Sequence, residues 1–122
     1  MKILTVLFCL CVPLMGADKK GPSFFELNKR LAEKGNAVAQ YQLGVMYEGG
    51  IGVEKDFKEA VKWYRQAAEL GYVFSQRNLA LHLFKGEGVE ANDGEAFNWM
   101  LKAAESGDAF AQNFVGNRFS DG

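Results

Sequence analysis

The stretch NAVAQYQLGVMYEGGIGVEKDFKEAVKWYRQAAELG, residues 36–71, is followed directly by YVFSQRNLALHLFKGEGVEANDGEAFNWMLKAAESG, residues 72–107. Laid over each other at a shift of 36 residues and without a gap, the two agree at 13 of 36 positions. Unrelated sequences share only about two or three over that length, so this is an internal repeat. Gln40 with Gln76, Leu43 with Leu79, Ala60 with Ala96, Trp63 with Trp99, Ala67-Ala68 with Ala103-Ala104 and Gly71 with Gly107 are among the matched pairs. A partial copy over residues 108–122 keeps the pattern at Ala111, Gln112, Val115, Gly116, Phe119 and Gly122, and residues 23–35 fit the second half of a copy. A period of this size predicts stacked supersecondary units, each burying its apolar face against its neighbours.

Each full copy reads as two helices. Ala39, Leu43 and Tyr47 fall at i, i+4 and i+8 on a first helix running from about Ala37 to Glu48, and the glycines of Gly49-Gly50-Ile51-Gly52-Val53 end it. A second helix begins after Asp56, whose carboxylate can accept free N–H groups of the first turn while Glu59 reaches back. Asn92 with Glu95, and Ser23 with Glu26, offer the same capping box. Ala60, Trp63, Tyr64, Ala67 and Ala68 share one face of the second helix, and Gly35, Gly71 and Gly107 stop it in successive copies. Small alanines permit close helix approach, and Trp63 and Trp99, placed identically in the two copies, are expected in the core.

The 122 residues suffice for one small domain, and 48% hydrophobic with 24% charged residues is a globular composition. Fourteen Lys and Arg against fifteen Asp and Glu give a net charge of −1, without the basic field that nucleic acid selects for. Residues 1–17 read as a signal peptide: Lys2, then the apolar run Ile3 to Leu14, then small Gly16 and Ala17 ahead of Asp18. That run of twelve is too short to span a bilayer, so residues 18–122 are expected to be a secreted or periplasmic helical-repeat domain with no membrane span after cleavage. Both cysteines, Cys9 and Cys11, lie in the leader, and His82 is the lone histidine, so no zinc, haem or iron–sulfur ligand set can be assembled from Cys and His and no cofactor is expected.

Read together, Ala39, Leu43-Gly44, Tyr47, Gly50, Gly52-Val53, Asp56, Ala60, Trp63-Tyr64, Ala67-Ala68 and Gly71 resemble the Sel-one-like repeat (SLR), a relative of the tetratricopeptide repeat. The likeness covers essentially the whole chain after the leader, with the second copy carrying Ala80, Leu83, Asn92 and Met100 where the pattern has Gly, Tyr, Asp and Tyr. The resemblance implies an all-α, right-handed solenoid of antiparallel helix pairs that acts as an interaction scaffold. Exported cysteine-rich members of the family include some described as penicillin-binding or as β-lactamases, but this chain lacks the paired cysteines of that type.

In a solenoid, positions that repeat hold the stack and positions that vary can read a partner. At 100° per residue, the repeating positions of the first helix lie on one side and the equivalents of 38, 41, 42 and 45 lie opposite. These are Val38, Tyr41, Gln42 and Val45, then Phe74, Arg77, Asn78 and Leu81, then Phe110, Asn113, Phe114 and Asn117. The candidate partner-binding residues are therefore Tyr41, Gln42, Phe74, Arg77, Asn78, Leu81, Phe110, Asn113 and Phe114, a mixture of aromatics, Arg and Asn suited to a protein interface. Two readings stay open: Val38, Phe74 and Phe110 either meet a partner or pack one repeat on the next, and Tyr41, Arg77, Asn78 and Asn113 either bind or form a solvated face.

A serine acyl-enzyme needs an activated hydroxyl, and the usual signature puts Lys three residues after Ser on the same helical face, where Ser23, Ser75 and Ser106 are followed by Glu26, Asn78 and Ala109. A catalytic site is not expected, and weak β-lactam or cell-wall-precursor binding or hydrolysis is the alternative function. His82 stands as an isolated titratable group at the edge of the apolar stripe, on the surface or in packing. The last copy supplies a first helix without its second, from which a frayed end, a truncated product or self-association through that helix is expected.

Overall fold

The protein is seen in a computed structural model that describes residues 21–121, with side chains to Arg118; the leader predicted over residues 1–17 lies outside them. The described residues form six helices and no strand: α1 Phe24–Glu33, α2 Ala37–Gly49, α3 Phe57–Glu69, α4 Val73–Lys85, α5 Asp93–Glu105 and α6 Ala109–Asp121. Each packs on the next in chain order, the pattern of a solenoid in which contacts run between neighbours.

The starts follow from the capping residues. Ser23 Oγ accepts from the Glu26 N–H, Asp56 Oδ1 from those of Lys58 and Glu59, and Asn92 Oδ1 from that of Glu95. Asn36 and Asp108 cap α2 and α6 in the same way, whereas Tyr72, at the same place in the second copy, makes no side-chain cap. The return half of the predicted capping box is absent at Asp56 and Asn92. Their backbone N–H groups donate to the carbonyls of Tyr47 and Leu83 at 2.9 Å, so the loop's fold-back onto the preceding helix uses the donor that Glu59 or Glu95 would have met. Gly50 and Gly86 end α2 and α4 in the left-handed region at φ 67° and 72°, a conformation that glycine adopts without a Cβ penalty.

Alanines set the helix spacing. Ala60, Ala67, Ala96, Ala103 and Ala111 have no exposed surface, and Tyr64, Leu79, Leu83 and Met100 fill the space they leave. Trp63 closes a second cluster with Ala32, Ala39, Leu43 and Met46. Trp99 departs from the expectation: it is half-buried at the edge of the core, its Nε1–H donating to Glu95 at 3.2 Å. Leu79 and Met100 occupy the interior of that repeat instead.

Gln40, Gln76 and Gln112, the only polar residues of their kind shared by all three copies, have one structural role. Each Nε2 reaches back eight residues and donates at 3.1 Å to a carbonyl near the end of the preceding helix, that of Ala32, Ala68 and Ala104. Each of these carbonyls also accepts the N–H of the glycine three residues on, Gly35, Gly71 or Gly107, so the amide adds a second bond that ties one helix to the next at each step of the solenoid.

Candidate interaction face

The first helices α2, α4 and α6 carry the predicted face. Val38, Phe74 and Phe110, equivalent in the three copies, are 48%, 47% and 47% exposed, so about half of each side chain meets solvent and packing between repeats takes up the rest. Tyr41, Gln42, Val45, Arg77, Asn78, Leu81 and Phe114 are half-buried, while Asn113 and Asn117 are exposed. Neighbouring side chains cover positions 41, 77 and 114 in part: Tyr64, Tyr72 and Phe74 at Tyr41, Phe74, Phe110 and Asp108 at Arg77, and Phe84 and Phe110 at Phe114.

Rings connect one repeat to the next along this face. Tyr41 lies 5.9 Å from Tyr64, 5.2 Å from Tyr72 and 6.0 Å from Phe74 between ring centroids. The Arg77 guanidinium sits 5.3 Å from the Phe74 ring and 5.9 Å from that of Phe110, and its Nη1 donates to Asp108 Oδ1 at 3.0 Å. Asp108 is almost sealed from solvent and also caps α6, so one carboxylate fixes Arg77 and the start of the next helix together. Phe110 stacks on Phe114 at 6.4 Å, and Phe114 lies 5.1 Å from Phe84. An open groove of about 440 Å³ runs beside this strip between the helix starts, lined by Tyr72, Val73, Phe74, Gly107, Asp108 and Ala109.

His82 is not the isolated group that its spacing suggested. It is 4% exposed, with Nε2 3.3 Å from Glu48 Oε1 and Nδ1 3.2 Å from the Glu87 carbonyl oxygen. The ring thereby bridges the end of α2 to the loop after α4. Glu48 Oε1 also accepts from the Tyr64 hydroxyl at 2.6 Å, and burial together with this bond pushes the Tyr64 phenol well above its ordinary range. The cluster joins α2, α3 and α4 and is a junction between repeats. No sequence signal pointed to it, since Glu48 and His82 lie 34 residues apart and the first copy has Met46 where the second has His82.

Away from this face, Arg65 on α3 pairs with Glu95 on α5, and the guanidinium beside it holds the Glu95 carboxyl below the usual carboxylate range. Among the described residues no group of three or more His, Cys, Asp and Glu could hold a metal ion, and no helix is long and apolar enough to cross a membrane.

Two-helix units joined in series by glutamine clamps, with varied aromatics on the first helices, define a helical-repeat solenoid. The particular repeat is the Sel1 repeat, whose family model matches residues 37–72 and 73–108, and the chain belongs to that family. Solved structures agree. The chain is 41% identical to c5321, a protective antigen present in uropathogenic Escherichia coli strains that displays an SLR fold (TM-score 0.73, covering 77% of this chain and 20% of that one). It is 36% identical to a Sel1 repeat protein from Oxalobacter formigenes (TM-score 0.72, 74% and 68%) and 27% identical to Helicobacter pylori cysteine rich protein B (TM-score 0.71, 74% and 68%). The chain thus spans about a fifth of the length of the E. coli antigen. A search of curated proteins finds no match. Sel1 repeats generally mediate protein–protein interaction and are generally non-catalytic scaffolds.

Proposed function

We propose that this protein is an exported scaffold that binds a protein partner through the first-helix face of α2, α4 and α6. The observation that carries the reading is the strip Tyr41, Phe74, Arg77, Phe110 and Phe114, which crosses from repeat to repeat with half-exposed aromatic rings and a guanidinium held between two of them. Aromatic and Arg side chains supply most of the energy at protein interfaces, and rings already fixed by neighbours lose little entropy on binding. Gln42, Asn78 and Asn113 border the strip and would supply directional contacts, and Leu81 would add apolar area. Export to the periplasm or the medium rests on the leader-like residues 1–17.

Hydrolysis of a β-lactam or cell-wall precursor finds less support. Ser23 is spent as a helix cap and Ser75 is sealed in the interior without a hydrogen-bond partner, so neither hydroxyl meets a base. Affinity capture from envelope extract and culture fluid tests the proposal, comparing the unmutated protein with an Arg77→Ala/Phe114→Ala variant. Loss of a specific partner in the variant supports it. Absence of any partner, together with nitrocefin turnover by the unmutated protein, would replace it with the hydrolase reading.

A further inference from the structure

The charge on the face is not evenly spread. Among the residues of α4 and α6, Arg77, Lys85 and Arg118 are cationic, and no Asp or Glu occurs before Asp121. The whole chain carries −1, whereas these two helices hold three of its fourteen Lys and Arg and none of its fifteen Asp and Glu before Asp121, so they are locally cationic.

Two of these cations occupy the same kind of seat. Arg77 lies against Phe74 and Phe110; Arg118 lies against Phe84 at 5.7 Å and Phe114 at 5.4 Å. They differ in what answers the charge. Arg77 is bonded to Asp108, whereas Arg118 is exposed and makes no ion pair with the described side chains, which end at Arg118 itself. A guanidinium lying against aromatic rings has those surfaces occupied and its planar fork of N–H donors turned to solvent, the arrangement that takes a carboxylate in a bidentate bond.

Resting on the proposed interaction face, we infer that the occupant of its α4–α6 end is an acidic segment of a protein partner, in which a carboxylate meets Arg118 and an adjoining aromatic or aliphatic side chain packs on Phe110 and Phe114. Charge complementarity argues for this occupant. The Arg77–Asp108 pair supplies the precedent within the molecule, a carboxylate on a guanidinium that lies against two phenylalanine rings. Lys85 adds a second exposed cation on the same helix as Phe84. Binding through such groups should associate faster and more tightly at low salt.

Fluorescence anisotropy of the full chain with short labelled peptides alternating Phe with Glu, with Gln or with Lys tests the inference. The Glu peptide is expected to bind, to weaken as salt rises, and to lose about tenfold in affinity to Arg118→Gln, a loss of about 1.4 kcal/mol. Arg118→Glu should reverse the preference toward the Lys peptide. Equal binding of the Glu and Gln peptides, an Arg118→Gln variant that binds unchanged, or no binding of the Glu peptide would overturn it. So would phosphatidylserine vesicles that displace the Glu peptide at low salt, since they would make the site one for anionic lipid. If the Gln peptide binds as well as the Glu peptide and Phe110→Ser abolishes both, the interaction face stands and the acidic preference falls.

Discussion

The ring of Tyr64 on α3 occupies the space in which a β-carbon on Gly44 of α2 would lie. The next copy holds the complementary choice at the same positions, Ala80 with Met100, both fully buried in one cluster. A flat ring needs glycine opposite it, and a flexible thioether leaves room for a methyl. Gly44→Ala is therefore expected to destabilise the protein by about 1–2 kcal/mol, because the overlap outweighs the roughly 1 kcal/mol that alanine gains over glycine inside a helix. In a Tyr64→Met background the same change should be neutral or stabilising. Urea denaturation of the four proteins measures the coupling, and an equal cost of Gly44→Ala in both backgrounds would contradict this packing account.

Gln76 and Gln112 make the same bond in different surroundings, buried in the first case and exposed in the second. Replacing Gln76 by Met keeps the shape and removes one of the two bonds of the buried Ala68 carbonyl, which retains the Gly71 N–H at 2.9 Å, for an expected loss of about 1 kcal/mol, at the low end of the usual range because Gln76 Oε1 is itself unpartnered. Gln112→Met should cost less, since water can reach the Ala104 carbonyl. Thermal or chemical denaturation giving equal costs at the two positions would argue against the clamp.

Ser75 stands where the other copies have Ala39 and Ala111, with its hydroxyl buried and without a partner. Ser75→Ala removes an uncompensated polar group and substitutes a better helix former, so stability should rise by about 1 kcal/mol. A fall in the denaturation midpoint would show that the hydroxyl has a partner after all.

Glu95 gives a pH dependence with a definite sign. Its folded-state carboxyl is held below the ordinary range by Arg65, so the pair's contribution is present above the unfolded carboxyl pKa, near about 4.3, and is lost as pH falls through the folded value. Both side chains are about one-third exposed, which keeps the contribution under about 1 kcal/mol. The melting temperature of Arg65→Gln should lie slightly below that of the unmutated protein at pH 7, and the gap should close toward pH 3. A gap that stays constant or widens in acid would remove this pair from the account.

Period and glycine spacing made the helix pairs, their caps and the alanine-lined core readable directly from the sequence, because these features are local or repeat exactly one unit on. The Gln40 and Gln76 match was visible as well, but its meaning needed the turn of chain that brings Ala32 and Ala68 within reach. What stayed hidden depended on differences between copies. Trp99 matches Trp63 letter for letter, yet it sits at the rim; Trp63 packs with Ala39 and Met46, where the second copy has Ser75 and His82. Glu48 and His82 meet only when the second repeat stacks on the first. The face itself was legible as a set of positions, while its continuity through Arg77 and Asp108 came from a cap residue that the periodicity does not single out.

Photo-crosslinking tests the central claim most directly: a benzophenone amino acid placed at Phe74 or Phe110 on the first-helix face, and at Lys62, exposed on α3, as the comparison. The account predicts one discrete adduct with a protein partner from positions 74 and 110 and none from 62. Adducts of equal yield from all three, or from position 62 alone, would contradict it.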